Sequence, residues 1–182
     1  MAGRRKSAQA ARLAARHVRL LILDVDGVLT DGSIILDNEG NEYKAFHVRD
    51  GHGIKMLITA GVRVAIITGR LSKVVERRAH ELGIDEVFQK CHDKRIAYRK
   101  LIGQYGLKDR EVAYVGDDIV DIPIMTVVGL PVAVADAAAE TRDAAVLVTK
   151  NRGGRGAVRE VTDLILKARG LWAAMLREYR QV

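Results

Sequence analysis

The chain has 182 residues, 48% of them hydrophobic and 4% aromatic, and carries a formal net charge of +7. That length fits one domain with a sizeable core and is tight for two. The longest uncharged stretch, from Ile122 up to Asp136, contains two prolines and a glycine and falls short of the roughly 18–20 apolar residues that span a bilayer.

Residues 1–19 hold six basic and no acidic side chains, and residues 150–182 hold eight against three; residues 20–149 are net acidic, with sixteen against twenty. The positive charge belongs to the ends. It does not by itself mark a nucleic-acid binder, because so few aromatics leave little surface for base stacking. The stretch GRRKSAQAARLAARH lacks the apolar block and cleavage site of a secretory signal, and it reads as a solvated, flexible arm over 1–17 ahead of one domain over 18–182. A lone cysteine, Cys91, excludes an internal disulfide and fits a cytoplasmic location.

VRLLILDV (18–25) is the first strand-like run, and it ends in Asp24-Val25-Asp26. Residues i and i+2 of a strand face the same side, so both carboxylates point into one small volume. SIILDNEGNEYKAFHV (33–48) places two short apolar runs around a turn signal and predicts a β-hairpin. A helix is expected over 51–60, then a strand, VRVAIIT (62–68), that leaves through Thr68-Gly69-Arg70 into a helix over 71–82. EVFQ (86–89) precedes Lys94 and a helix over 93–104. EVAYVG (111–116) runs into Gly116-Asp117-Asp118, with Asp121 one turn along a helix over 118–128. PVAVA (131–135) and AAVLVT (144–149) complete the strands, and a helical tail occupies 155–182. Strands alternating with helices predict a doubly wound parallel α/β sheet, whose ligands bind beyond the strands' carboxyl ends.

Those ends carry the chemistry. Clustered carboxylates raise one another's pKa unless a cation sits among them, and oxygen ligands of this kind suit Mg²⁺. Thr68 can donate a hydrogen bond to a phosphoryl oxygen and Lys94 can neutralise its charge, which leaves Asp24 and Asp26 for the roles of nucleophile and proton shuttle. Each piece alone has an ordinary structural explanation as a cap, a turn or a strand exit. At successive strand ends in this order, the set is specific.

DVDGVLT (24–30), IITGR (66–70), Lys94 and GDDIVD (116–121) resemble the four motifs of the haloacid dehalogenase superfamily of phosphotransferases. VRDGHGIKML, ITGRLSKVVERRAHELGI, VGLPVAVADA and TKNRGGRGAVREV extend the resemblance into its small capless branch, typified by phosphatases of 3-deoxy-D-manno-octulosonate 8-phosphate (Kdo-8-phosphate). The resemblance implies that Asp24 attacks phosphorus and forms an aspartyl-phosphate, and that Asp26 protonates the leaving alcohol and then activates water. It further implies that Mg²⁺ is held by the side chains of Asp24 and Asp117 and the main-chain carbonyl of Asp26. Thr68 and Lys94 would hold the phosphoryl group, with Gly69 beside it, and Asp118 and Asp121 would support the metal site from its edge. The branch forms homotetramers in which the hairpin builds an intersubunit barrel and a neighbour partly closes each site. That matches the absence of any insertion long enough to be a cap.

A sugar-acid phosphate carries a carboxylate as well as a phosphate, so Arg70 and Arg78 are expected at the substrate. The stretch Arg152-Gly-Gly-Arg155-Gly is open between supplying anion-binding amides and being a flexible connector. Two positions depart from the branch: Lys90, where relatives usually carry glycine, and His52, where they often carry an aromatic residue. Three alternatives remain: a phosphatase for a related nine-carbon sugar acid, a nucleic-acid binder working through the basic ends, or a phosphoryl-accepting receiver domain. The last is opposed by Thr68, which stands where a receiver carries its acceptor aspartate.

Overall fold

The computed structural model describes residues 2–180. Numbering strands and helices in chain order, β1 (Leu20–Leu23) is LLIL, buried at all four positions. Such a segment has no face fit for water and must be covered on both sides. It pairs in parallel with β4 (Arg63–Ile67) and β6 (Val112–Gly116), Leu20 standing opposite both Arg63 and Val112. With β5 (Glu86–Phe88), β7 (Leu130–Ala133) and β8 (Leu147–Val148), the sheet order is β5-β4-β1-β6-β7-β8, parallel throughout. The doubly wound sheet expected from the sequence is the fold found.

The chain runs outward from β1 to β4 and β5, then crosses back over β1 to β6. This reversal opens a crevice beyond β1's carboxyl end. Helices α2 (Val48–Thr59) and α3 (Lys73–Leu82) make the outgoing connections, and α4 (Lys94–Tyr105) makes the return; right-handed crossovers therefore put them on opposite faces. Beyond β6 come α5 (Ile122–Met125) and α6 (Ala139–Asp143), and after β8 come α7 (Ala157–Ala168), which packs along α2, and α8 (Trp172–Glu178). Among the described residues, no helix is long and apolar enough to cross a membrane.

Two expectations need correction. The arm over 1–17 is not a solvated tail: Ala2–Ala15 forms a helix, α1, that packs on α7. Alanine is the strongest helix former, and Ala11 and Ala15, four residues apart on one face, are buried, while Arg12 and Arg16 stay exposed. The helix expected over 118–128 breaks into a 3₁₀ turn at Ile119–Asp121 and the short α5. Pro123 has no amide to donate, and the Asp121 carboxylate captures the amides of Asp117 and Asp118.

The hairpin is present as β2 (Ile35–Leu36) paired antiparallel with β3 (Glu42–Tyr43). Asp37 organises its turn, accepting from the amides of Glu39 at 2.9 Å and Asn41 at 2.8 Å. Ile34, Ile35, Leu36 and Tyr43 are all about half exposed or more, an apolar surface the chain does not cover for itself.

Candidate active site

The chain leaves β1 at Asp24 and turns sharply, with the amides of Val28, Leu29 and Thr30 all donating to the Val25 carbonyl. Gly27 takes φ +83°, a left-handed conformation that side chains resist, and an added Cβ there would collide with the Asp117 carboxylate. Because the strand ends at Leu23, Asp24 and Asp26 are not two rungs of one extended face. Both line the crevice, an open cleft of about 380 Å³, but their carboxylates keep different company. The extended face expected from strand spacing fails here, while the expectation that both acids enter one cleft holds.

Asp24 is almost fully buried. Lys94, the first residue of α4, donates to its Oδ2 at 2.6 Å and to Asp121 Oδ1 at 2.7 Å. Tyr114, buried in the middle of β6, donates to the same Asp121 oxygen at 2.6 Å, while Asp121 Oδ2 accepts from the amides of Asp117 at 2.9 Å and Asp118 at 3.2 Å. Asp121 is thus saturated with donors, and it holds Lys94 against Asp24. Asp118 caps the 3₁₀ turn, its Oδ1 accepting from Ile119 N at 2.8 Å.

One oxygen each from Asp24, Asp117 and Asp121 lies within 4.8 Å of the others. Burial pushes the Asp24 carboxyl up to about 6, against the pull of Lys94 and with a further push from Asp121. Asp117 is pushed up to about 7 by burial and then by the charges of Asp24 and Asp121. Burial opposes the charge on Lys94, yet the two carboxylates together raise its pKa above the ordinary lysine value. An acidic cluster with one cation among three carboxylates fits a hard divalent ion. Since Asp121 is already saturated, Asp24 and Asp117 are the groups with capacity to hold it.

Metal-free protein is therefore expected to lose stability as pH rises. The folded-state pKa values of Asp24 and Asp117 lie above that of an unfolded carboxyl, so the folded state keeps protons the unfolded chain has released. The resulting stabilisation, full below about pH 4, is lost as pH climbs through about 6 for Asp24 and about 7 for Asp117. Added Mg²⁺ should then raise the melting temperature most above pH 7. A chelated protein whose melting temperature is flat from pH 5 to 8, with no Mg²⁺ shift, would contradict the cluster's role.

Asp26 faces the hairpin. Lys44 ion-pairs with its Oδ1, and Arg70 Nε stands 3.6 Å from Oδ2. Glu42 binds Arg70 Nη2 at 2.9 Å and also accepts from Ser72 Oγ. Thr68, buried at the end of β4, lines the cleft with Gly69 and Arg70, and the Thr68 carbonyl receives the Cys91 amide at 3.0 Å. Lys90 holds φ +56°, the left-handed region where relatives were expected to carry glycine, so the loop keeps its shape at some conformational cost.

Arg78 does not reach this cleft. It lies on α3 over Gly51 and the Phe46 ring and binds Glu81 at 2.8 Å. The glycine-rich stretch offers no free amides at Gly153 and Gly154: Gly153 N donates to Asp136 Oδ1 at 3.0 Å and Gly154 N to the Val28 carbonyl at 2.9 Å. Cβ atoms at Gly153 and Gly154 would strike the backbone of Gly27 and Thr30, so glycine is there for close approach. Sequence reading missed Glu42, Lys44, Ser72 and Tyr114. Only Tyr114 left a signal, a hydroxyl inside an apolar strand that must find a partner.

A carboxylate cluster and a lysine at the reversal of a parallel sheet, open to solvent and without a cap domain, define a metal-assisted phosphoryl-transfer hydrolase. The profile of the haloacid dehalogenase-like hydrolases matches residues 83–161. A 3-deoxy-D-manno-octulosonate 8-phosphate phosphatase of Yersinia pestis is 54% identical over 154 residues, covering 85% of this chain and 82% of that protein. Its counterpart in Escherichia coli K12 is 53% identical over 156 residues, covering 86% and 83%. The crystal structure of the Moraxella catarrhalis phosphatase, in complex with a magnesium ion, a phosphate ion and Kdo, superposes with a TM-score of 0.91 at 41% identity, covering 93% of this chain and 97% of that one. The chain belongs to the 3-deoxy-D-manno-octulosonate 8-phosphate phosphatases of the haloacid dehalogenase-like hydrolases.

Proposed function

We propose that this chain hydrolyses Kdo-8-phosphate to Kdo and inorganic phosphate with Mg²⁺ as cofactor, in the supply of lipopolysaccharide precursor in the cytoplasm. The observation that carries the reading is Asp24, buried at the mouth of the cleft with Lys94 on one oxygen and Asp117 beside it. The identity to phosphatases of that substrate supports its choice.

Asp24 attacks phosphorus as the bond to the sugar oxygen breaks, and Asp26 delivers a proton to that oxygen. Asp26, now ionised, takes a proton from water as the water attacks the aspartyl-phosphate, freeing phosphate and Asp24. Thr68 and Lys94 hold the phosphoryl oxygens. The side chains of Asp24 and Asp117 and the carbonyl of Asp26 would hold Mg²⁺, which when bound offsets negative charge so that carboxylate and phosphate can meet. Asp118 and Asp121 keep the cluster in place by capping the turn and by fixing Lys94. Arg70 and Gly69 receive the substrate at the rim, and Arg70 favours the eight-carbon acid over its nine-carbon relatives. Arg78, outside its own cleft, meets substrate only through assembly.

A phosphate-release panel with Mg²⁺ tests the reading. The expected result is strong preference for Kdo-8-phosphate; efficient release from other sugar phosphates with none from this one would overturn the substrate.

We read residues 18–182, together with the α1 helix that packs on α7, as a single catalytic unit that assembles as a homotetramer through the hairpin 33–48. The exposed apolar side chains there support this, Leu36 being 60% and Ile34 56% accessible. Sedimentation equilibrium giving the mass of one chain would refute it.

A further inference from the structure

Lys44 is an unusual lysine. It follows β3 on the hairpin, yet its side chain is only 1% exposed, and its ammonium meets Asp26, eighteen residues back in the chain. Burying an ammonium costs several kcal/mol unless carboxylates compensate. Here two do: the Asp26 carboxylate and Glu42 Oε1 at 3.5 Å. Glu42 is in turn fixed by Arg70 and Ser72, on the loop between β4 and α3. The hairpin is thus pinned over the cleft by a closed set of charges, with Lys44 just past its second strand.

Among the described residues, Lys44 is the only hydrogen-bond donor to the Asp26 carboxylate. Its bond goes to Oδ1. Oδ2 makes no hydrogen bond among the described residues, with Arg70 Nε 3.6 Å away, and Asp26 itself lines the cleft. A carboxyl group held at one oxygen is restrained about its side-chain torsions, so the other oxygen is presented over a narrower range of directions. On the reading of Asp26 as acid and base, we infer that Lys44 is the positioning residue that aims Asp26 at the leaving-group oxygen.

This role has a signature that a structural one lacks. An alkyl alcohol leaves only as it gains a proton, whereas p-nitrophenolate leaves without one. In Lys44→Met, kcat/KM, which ends at phosphorylation of Asp24, should fall on Kdo-8-phosphate by roughly 10- to 100-fold, part of what a well-placed general acid supplies. On p-nitrophenyl phosphate it should change by less than about threefold. Lys44→Arg, which restores a charged donor, should recover most of the loss. Equal losses on both substrates would reduce Lys44 to a scaffold role, and no loss on either would remove it from the reaction; either result overturns the inference.

Asp26→Asn, run beside these variants, keeps the two readings apart. If it shows the leaving-group-selective loss and Lys44→Met does not, the positioning role fails while Asp26 stands. If Asp26→Asn shows no such selectivity, the acid–base reading itself fails. Should Lys44→Met not fold, Lys44→Gln, which keeps a donor but no charge, is read by the same substrate pair.

Discussion

Asp24→Asn will lower turnover by about 10⁴-fold or more while leaving the fold intact. The amide is nearly isosteric with the carboxylate but has no oxygen able to attack phosphorus, so no aspartyl-phosphate forms. Nothing else in the cleft replaces it: Asp26 is engaged by Lys44, Asp121 is saturated, and Asp117 is the other group with capacity for the metal. The fold should survive because Lys94 keeps Asp121, and because the burial that pushes Asp24 up to about 6 no longer acts on an amide. At pH 8 the variant should melt no lower than the parent. Acid quenching during turnover would trap phosphoprotein in the parent and none in the variant. Residual hydrolysis within tenfold of the parent would remove Asp24 as nucleophile.

Lys94→Met will cost about 3–5 kcal/mol of stability at neutral pH, along with activity, because it strands the buried carboxylates of Asp24 and Asp121. For a chain of this length, the melting temperature should drop by roughly 10 °C. The loss should shrink as pH falls. Burial already pushes the Asp24 carboxyl up to about 6, so at pH 5 that acid is largely neutral in the folded state and costs little to bury, whereas at pH 8 it is ionised. An equal loss at pH 5 and pH 8 would trace the effect to lost packing of the lysine stem and not to charge.

Much of the site could be read from the chain alone because each piece sits at a strand exit. Asp24, Thr68 and Asp117 follow hydrophobic runs whose ends are easy to locate, and the parallel topology brings such ends together. Lys94 was placed by its position after the third strand, as a cation for the phosphoryl group. The relation of Asp26 to Asp24 was misread because strand periodicity was carried past Leu23 into a turn. Lys44 and Glu42 lie on a hairpin whose sequence signals only its own turn; which side chain reaches back into the cleft is decided by how the hairpin folds over the sheet, and local pattern cannot encode that. The buried face of α1 was hidden for a different reason. Alanine packs well but contributes little to an amphipathic pattern, so a stripe of Ala11 and Ala15 among arginines looks like a solvated tail.

Gly153 meets Gly27 and Gly154 meets Thr30, backbone to backbone, between two loops far apart in the sequence. The nucleophile loop is therefore synthesised well before the segment it packs against. A chain that stops before the second loop can form part of the sheet, but the turn behind Asp24 lacks this backbone surface. A chain that stops between Asp121 and Gly153 therefore holds every residue of the acidic cluster yet lacks the backbone that supports the nucleophile turn.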